Sequence, residues 1–182
     1  LVKSNLHDEH SFAKFLNNMG SVYMLLDRHV ESEQLYKESL EIFRRLASGN
    51  LQAYEPSLAM SLHNLGLLYV ITNRFIESEQ LYKESLEIYR RLVNDNLQAY
   101  EPSLALLLNN MGELYYKNNR NAESEQFFKE AIELYRKLAK NNQMYNYDLA
   151  KTIFHCALLY GKMKCYNDAI DLFKQSLDVC SH

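Results

Sequence analysis

A catalytic site needs acids, bases, nucleophiles or metal ligands that converge, and this chain offers few candidates. His7-Asp8-Glu9-His10 has metal-ligand residue types. It stands, however, where later parts of the chain carry the plain link Gln52-Ala53-Tyr54-Glu55-Pro56, so it reads as a terminal loop without a metal. His63 and His155 have no acidic neighbour at ligand-like spacing on their own helices, and both read as surface histidines. Cys156, Cys165 and Cys180 are odd in number and form no C-x-x-C, which argues against a disulfide framework or a zinc site. Cys156 reads as a small core residue, and the unpaired thiols suggest a reducing, cytoplasmic setting. No phosphate-binding glycine loop and no nucleophile elbow occurs. No catalytic residue, metal or cofactor is therefore expected.

What remains is hydrogen-bonding chemistry along helices. Asn18, Asn64 and Asn110 recur at one phase, although asparagine is a middling helix former. An amide offers two donors and an acceptor, so a row of them suits the main chain of an extended peptide. Their neighbours vary: Lys14 and Asn17 beside the first, His63 and Leu67 beside the second, then Asn109, Glu113, Tyr116 and Lys117, and finally Lys151 and His155. A groove with distinct pockets would have this pattern. The competing reading is that each amide ties its repeat to the next or sits in water.

The elements that position these residues follow from composition and repetition. Five glycines and two prolines in 182 residues are too few for many short strands and turns, so the chain is expected to be all-α. A formal charge of −3 lacks the basic excess that drives nucleic-acid binding, and no apolar run is long enough to enter a membrane as a spanning helix. NLQAYEPSLA occurs at 50–59 and 96–105, ESEQLYKESLEI at 31–42 and 77–88, each pair 46 residues apart. Residues 51–96 and 97–142 share 27 of 46 positions.

Gly20, Gly66 and Gly112 follow the same offset, and 45 more residues lead to Ala157, which makes four units, near 11–50, 57–96, 103–142 and 148–182. Each holds two helices. Apolar spacing predicts them near 12–26, 31–48, 56–72, 77–94, 102–118, 123–140, 147–162 and 167–180, with Pro56 and Pro102 in first turns. The outer faces carry acid-to-base pairs four apart: Glu33/Lys37, Glu79/Lys83, Glu87/Arg91, Glu125/Lys129 and Glu133/Lys137. A glycine in a helix interior costs about 1 kcal/mol relative to alanine, so its recurrence implies close approach of the partner helix.

L-x-N-M/L-G-x-x-Y in the first helices, then a small residue, an aromatic four on and a small residue three further (Ser32/Tyr36/Ser39, Ser78/Tyr82/Ser85, Ser124/Phe128/Ala131, Ala169/Phe173/Ser176), resembles the tetratricopeptide repeat. The long period and the stretches 109–115, 78–88 and Glu101-Pro102 are similar to the kinesin-light-chain-like variant. The resemblance implies a right-handed superhelical α-solenoid. It places Lys14, Asn17, Asn18, His63, Asn64, Leu67, Asn109, Asn110, Glu113, Tyr116, Lys117, Lys151 and His155 on a concave face that binds a protein or peptide segment. Lys14, Asn18 and Asn64 also resemble the start of the clamp that holds acidic chaperone tails, but Leu106 and Asn110 stand where it needs basic residues.

The expected function is a non-enzymatic binding scaffold. The alternative is a structural or self-assembly module, associating through its open ends or concave face into a homo-oligomer. LVKSNL at 1–6 is similar to LVNDNL at 92–97, so 1–10 reads as the tail and link of a preceding repeat, and the chain as a piece of a longer protein.

Overall fold

The computed structural model describes residues 2–95 and 97–180, with the side chains of 2–7, 97 and 98 outside that description. It is all-α among these residues: α1 (Val2–Leu25), α2 (His29–Gly49), α3 (Leu51–Ile71), α4 (Phe75–Asp95), α5 (Leu97–Lys117), α6 (Asn121–Asn141), α7 (Asn146–Lys162) and α8 (Tyr166–Cys180), with a 3-10 turn at Gln143–Tyr145. The helices group into two compact units, Leu1–Arg91 and Leu92–His182. All eight predicted helices are present.

Each hairpin turns through one left-handed residue: Asp27, Asn73, Asn119 and Lys164, with φ of 56°, 60°, 58° and 64°. The next amide reaches back five residues, Arg28 to Tyr23, Arg74 to Tyr69, Arg120 to Tyr115 and Cys165 to Tyr160, at 2.7–2.9 Å. These bonds satisfy last-turn carbonyls in the manner of a Schellman cap. Asp and Asn tolerate this conformation, whereas Lys164 does so less readily.

Inside the hairpin, the glycines are required by aromatic rings. A Cβ on Gly66 would lie 2.5 Å from the Tyr82 ring, on Gly112 2.5 Å from Phe128 and on Gly20 2.8 Å from Tyr36. The serines at the recurring small-residue positions of the second helices add hydrogen bonds. Ser32, Ser78 and Ser124 donate to the carbonyls of Gly20, Gly66 and Gly112 at 2.8 Å. Ser39, Ser85 and Ser176 donate to those of Ala13, Ala59 and Ala150 at 2.8–2.9 Å. A net hydrogen bond contributes about 1 kcal/mol, so the hydroxyls join the two helices beyond what alanine would do.

The first helices start earlier than periodicity predicts. Asn50 ends α2, its N–H bonding Leu46 O at 3.0 Å, and begins α3, its side-chain oxygen accepting from the Ala53 N–H at 3.3 Å. Pro56 and Pro102 are therefore the sixth residues of their helices rather than first-turn residues. Each forfeits a single backbone bond, to the carbonyl four residues before it, near the helix start.

The presumed links are thus helical turns, and so is 7–10. Glu9 pairs with Arg45 at 3.1 Å, which gives the terminal acidic stretch a structural partner; the His7 side chain lies outside the described residues. The buried carboxylates of Glu55 and Glu101 take Arg91 and Lys137 at 2.5 and 2.7 Å. Those two bases were expected to pair with Glu87 and Glu133; a carboxylate withdrawn from water competes better for a cation than an exposed one. Glu33/Lys37, Glu79/Lys83 and Glu125/Lys129 pair as expected.

Candidate functional site

The first-helix positions differ sharply between the units. In the unit of α1 to α4, Lys14 and Asn18 are exposed, Asn64 and Leu67 half-buried, and Asn17 and His63 buried. Neither histidine is a plain surface residue. The His63 ring meets Tyr82 edge-on at 5.7 Å, in the place Tyr82 reaches because Gly66 lets it approach. Burial lowers its pKa to about 4, so it is neutral at neutral pH. Asn17 Oδ1 is buried and has no hydrogen-bond partner among the described residues. Ser21 donates to the Asn17 carbonyl at 3.2 Å and meets the Tyr36 hydroxyl at 2.9 Å.

In the second unit the same face gathers polar groups. Asn109 Nδ2 donates to Glu113 Oε1 at 3.0 Å and to Asn110 Oδ1 at 3.3 Å. His155 Nδ1, on α7, lies 3.1 Å from Glu113 Oε1 and 3.3 Å from Asn109 Oδ1. The acid that His155 lacks on its own helix thus comes from the neighbouring first helix. Burial pulls the Glu113 pKa upward, but His155, Asn109 and the charge of Lys151 hold it below the usual carboxylate value.

Beside this cluster lies a cavity of about 180 Å³, lined by Glu113, Tyr116, Lys117, Phe128, His155 and Leu158. Lys162 donates to the Tyr116 carbonyl at 2.7 Å and sits 4.4 Å from that ring's centroid. The wall is part aromatic, part charged, a combination suited to a side chain with an apolar body and a polar end.

Of the predicted residues, Asn109, Asn110, Glu113, Tyr116, Lys117 and His155 come together here, with Lys151 exposed nearby. Lys14, Asn17, Asn18, His63, Asn64 and Leu67 belong to the first unit. The three phase-matched asparagines are unequal: Asn18 is exposed, Asn64 half-buried and Asn110 buried. Sequence reasoning assigned Phe128 to the scaffold only; its pairing with Gly112, which brings the ring up to the first helix, was the available signal. Among the described residues, no three His, Cys, Asp or Glu side chains are grouped to hold a metal, and no helix is long and apolar enough to cross a membrane.

A tetratricopeptide repeat family model matches residues 11–91 and 57–137, together well over half of the chain. No curated protein matches it in sequence. Among solved structures, apo RapI matches with a TM-score of 0.79 at 20% identity, over 98% of this chain and 60% of that one. BtubC (BKLC) from P. vanneervenii matches at 0.77 and 22% identity, over 93% of this chain and 63% of that one. The Rap conjugation gene regulator of the plasmid pLS20, in complex with the Phr* peptide, matches at 0.70 and 14% identity, over 94% of this chain and 42% of that one. At these identities the likeness concerns the fold, and the chain spans only about three fifths of the length of the first two. The glycine and aromatic spacing, the stacked hairpins and the matching family model agree: the chain belongs to the tetratricopeptide repeat family.

Proposed function

We propose that the chain is a binding module for a protein or peptide segment, and that the first-helix face of α5 and α7 is its principal recognition surface. The observation that carries this is the Asn109–Glu113–His155 cluster beside an open cavity walled by Tyr116, Phe128 and Leu158. Glu113, half-buried at the cavity and held by Asn109 and His155, retains acceptor capacity for the N–H groups of a segment, while the cavity takes an apolar or aromatic side chain. A fold relative solved with a bound peptide supports the same reading. In the first unit, Lys14, Asn18 and Asn64 would be polar contacts of that unit's own first-helix face.

Selection of peptides from a random display library against the whole chain tests it. Enriched peptides should lose roughly tenfold or more in affinity on Glu113→Ala or Tyr116→Ala, in line with a ligand group left unpaired or a wall removed. Replacing Asn64 and Asn110 together by alanine separates ligand contacts from structural ties: the former weakens binding, the latter lowers the melting temperature at unchanged affinity. Peptides indifferent to every first-helix substitution would overturn the proposal.

A further inference from the structure

One position between neighbouring hairpins is filled by the chain's own side chain in the first unit and stands open in the second. In the first unit His10 does the filling. Its ring lies edge-on to Phe43 at 5.8 Å and to Tyr54 at 5.4 Å, and its Nε2 meets the Ser57 hydroxyl at 3.2 Å. By the repeat offsets of 46 and 45 residues, the second-unit counterparts of His10, Phe43, Tyr54 and Ser57 are Pro102, Tyr135, Tyr145 and Asp148. The pyrrolidine of Pro102 closes back on its own backbone and sends no ring across the gap. A cavity of about 210 Å³ stands there instead, lined by Pro102, Ser103, Leu106, Tyr135, Tyr145 and Asp148.

The replacements also change what this space can hold. Where the first unit offers the Ser57 hydroxyl, the second offers the half-buried carboxylate of Asp148, in the first turn of α7. Among the described residues, none donates a hydrogen bond to that carboxylate or forms an ion pair with it. Phe43 gives way to Tyr135, a buried phenol whose pKa is raised by its burial and further by the Asp148 charge, so it stays a neutral wall. Leu106, 41% exposed, lines the cavity where the first unit has Lys14, so the charge that would repel a cation there is gone.

Aromatic walls and one negative charge suit a flat cation. A guanidinium stacks on tyrosine rings and forks onto a carboxylate, whereas an ammonium is more strongly held by water. We infer that this cavity is a receptor for an arginine side chain of a partner segment, its guanidinium paired with Asp148 against Tyr135 and Tyr145, in the place that the His10 ring holds in the first unit. The lining carries no positive group for the α-carboxylate of free arginine, so the residue arrives within a peptide chain. The site is separate from the cavity beside Glu113, since Leu106 and Glu113 stand seven residues, or about 10 Å, apart along α5.

The test titrates N-acetyl-arginine methylamide into the whole chain at neutral pH and follows it by NMR. The compound should shift the signals of residues 102–106, 135 and 145–148 saturably. Its citrulline counterpart, the same shape without the charge, should bind at least about fivefold more weakly. Asp148→Asn, which keeps the shape of the wall, should weaken the arginine compound by about fivefold or more. Pro102→His restores the ring of the first unit and should weaken it at least about tenfold by occupying the space. Tyr116→Ala, in the other cavity, should leave it unchanged, so that failure of the Glu113 site and failure of this one are told apart. Equal binding of the arginine and citrulline compounds, an equally tight lysine counterpart, or binding indifferent to Asp148→Asn would overturn the inference. So would free arginine binding more tightly than the blocked compound, since the ligand would then be a small molecule.

Discussion

His63 and Asn109 occupy the same phase of the repeat and meet opposite fates. Both are buried, but in the first unit the imidazole packs edge-on against Tyr82 and is held neutral, whereas in the second the amide donates to Glu113 and lies beside His155, two residues that line a cavity. The backbone frame is shared, because Gly66/Tyr82 and Gly112/Phe128 make the same close approach and Ser78 and Ser124 the same bond. What differs is the side chain four residues on, Leu67 against Glu113. A leucine there adds apolar surface beside the histidine, whereas the Glu113 carboxylate gathers Asn109 and His155 around itself.

The largest expected effect concerns the shared frame. Gly66→Leu and Gly112→Leu should each destabilise by about 1–3 kcal/mol or more, because the added side chain meets a ring already closer than a Cβ allows. Thermal and denaturant unfolding measure this; a loss confined to one of the two would show that the frames are not equivalent.

The next concerns the buried histidine. With a folded pKa near 4, below its unfolded value of 6.5, the unfolded chain binds the extra proton between those values. His63 therefore costs nothing above about pH 6.5 and destabilises progressively as pH falls to about 4, with a slope of at most about 1.4 kcal/mol per pH unit. His63→Asn, the residue its counterparts Asn17 and Asn109 carry, should flatten melting temperature against pH in that window. An unchanged slope would place the titrating group elsewhere.

Glu113→Gln sharpens the contrast on the functional side. It keeps the shape and one acceptor but removes the charge that faces His155, so peptide affinity should fall severalfold while the melting temperature moves little. The smallest effect lies at the turns: Lys164→Gly should raise stability by about 1 kcal/mol, because a non-glycine left-handed residue carries that much strain. Asn73→Gly and Asn119→Gly should gain less, since asparagine adopts the conformation more easily.

Helix number, pairing and the glycine contacts were legible because the repeat states them several times over. Helix starts were not: periodicity begins at Leu58, and the capping by Asn50 six residues before Pro56 leaves no apolar trace. The Asn109–Glu113–His155 cluster was visible as individual residues, but its assembly depends on α5 and α7 lying side by side, which no spacing along one helix reveals. His63 was misjudged because its burial is decided by Tyr82, on the other helix of the hairpin.

Asn50 serves two helices at once, so this junction between neighbouring hairpins is a single residue. Any insertion or deletion there would rotate the following helix by about 100° per residue and turn its glycine and apolar rows away from their partners. At the α6–α7 junction, where the offset is 45 residues, the 3-10 turn Gln143–Tyr145 stands between the helices instead of a single residue. The identical decapeptides at 50–59 and 96–105 straddle the Asn50 junction and its next counterpart, so recombination between them would add or remove 46 residues and leave every remaining repeat in phase.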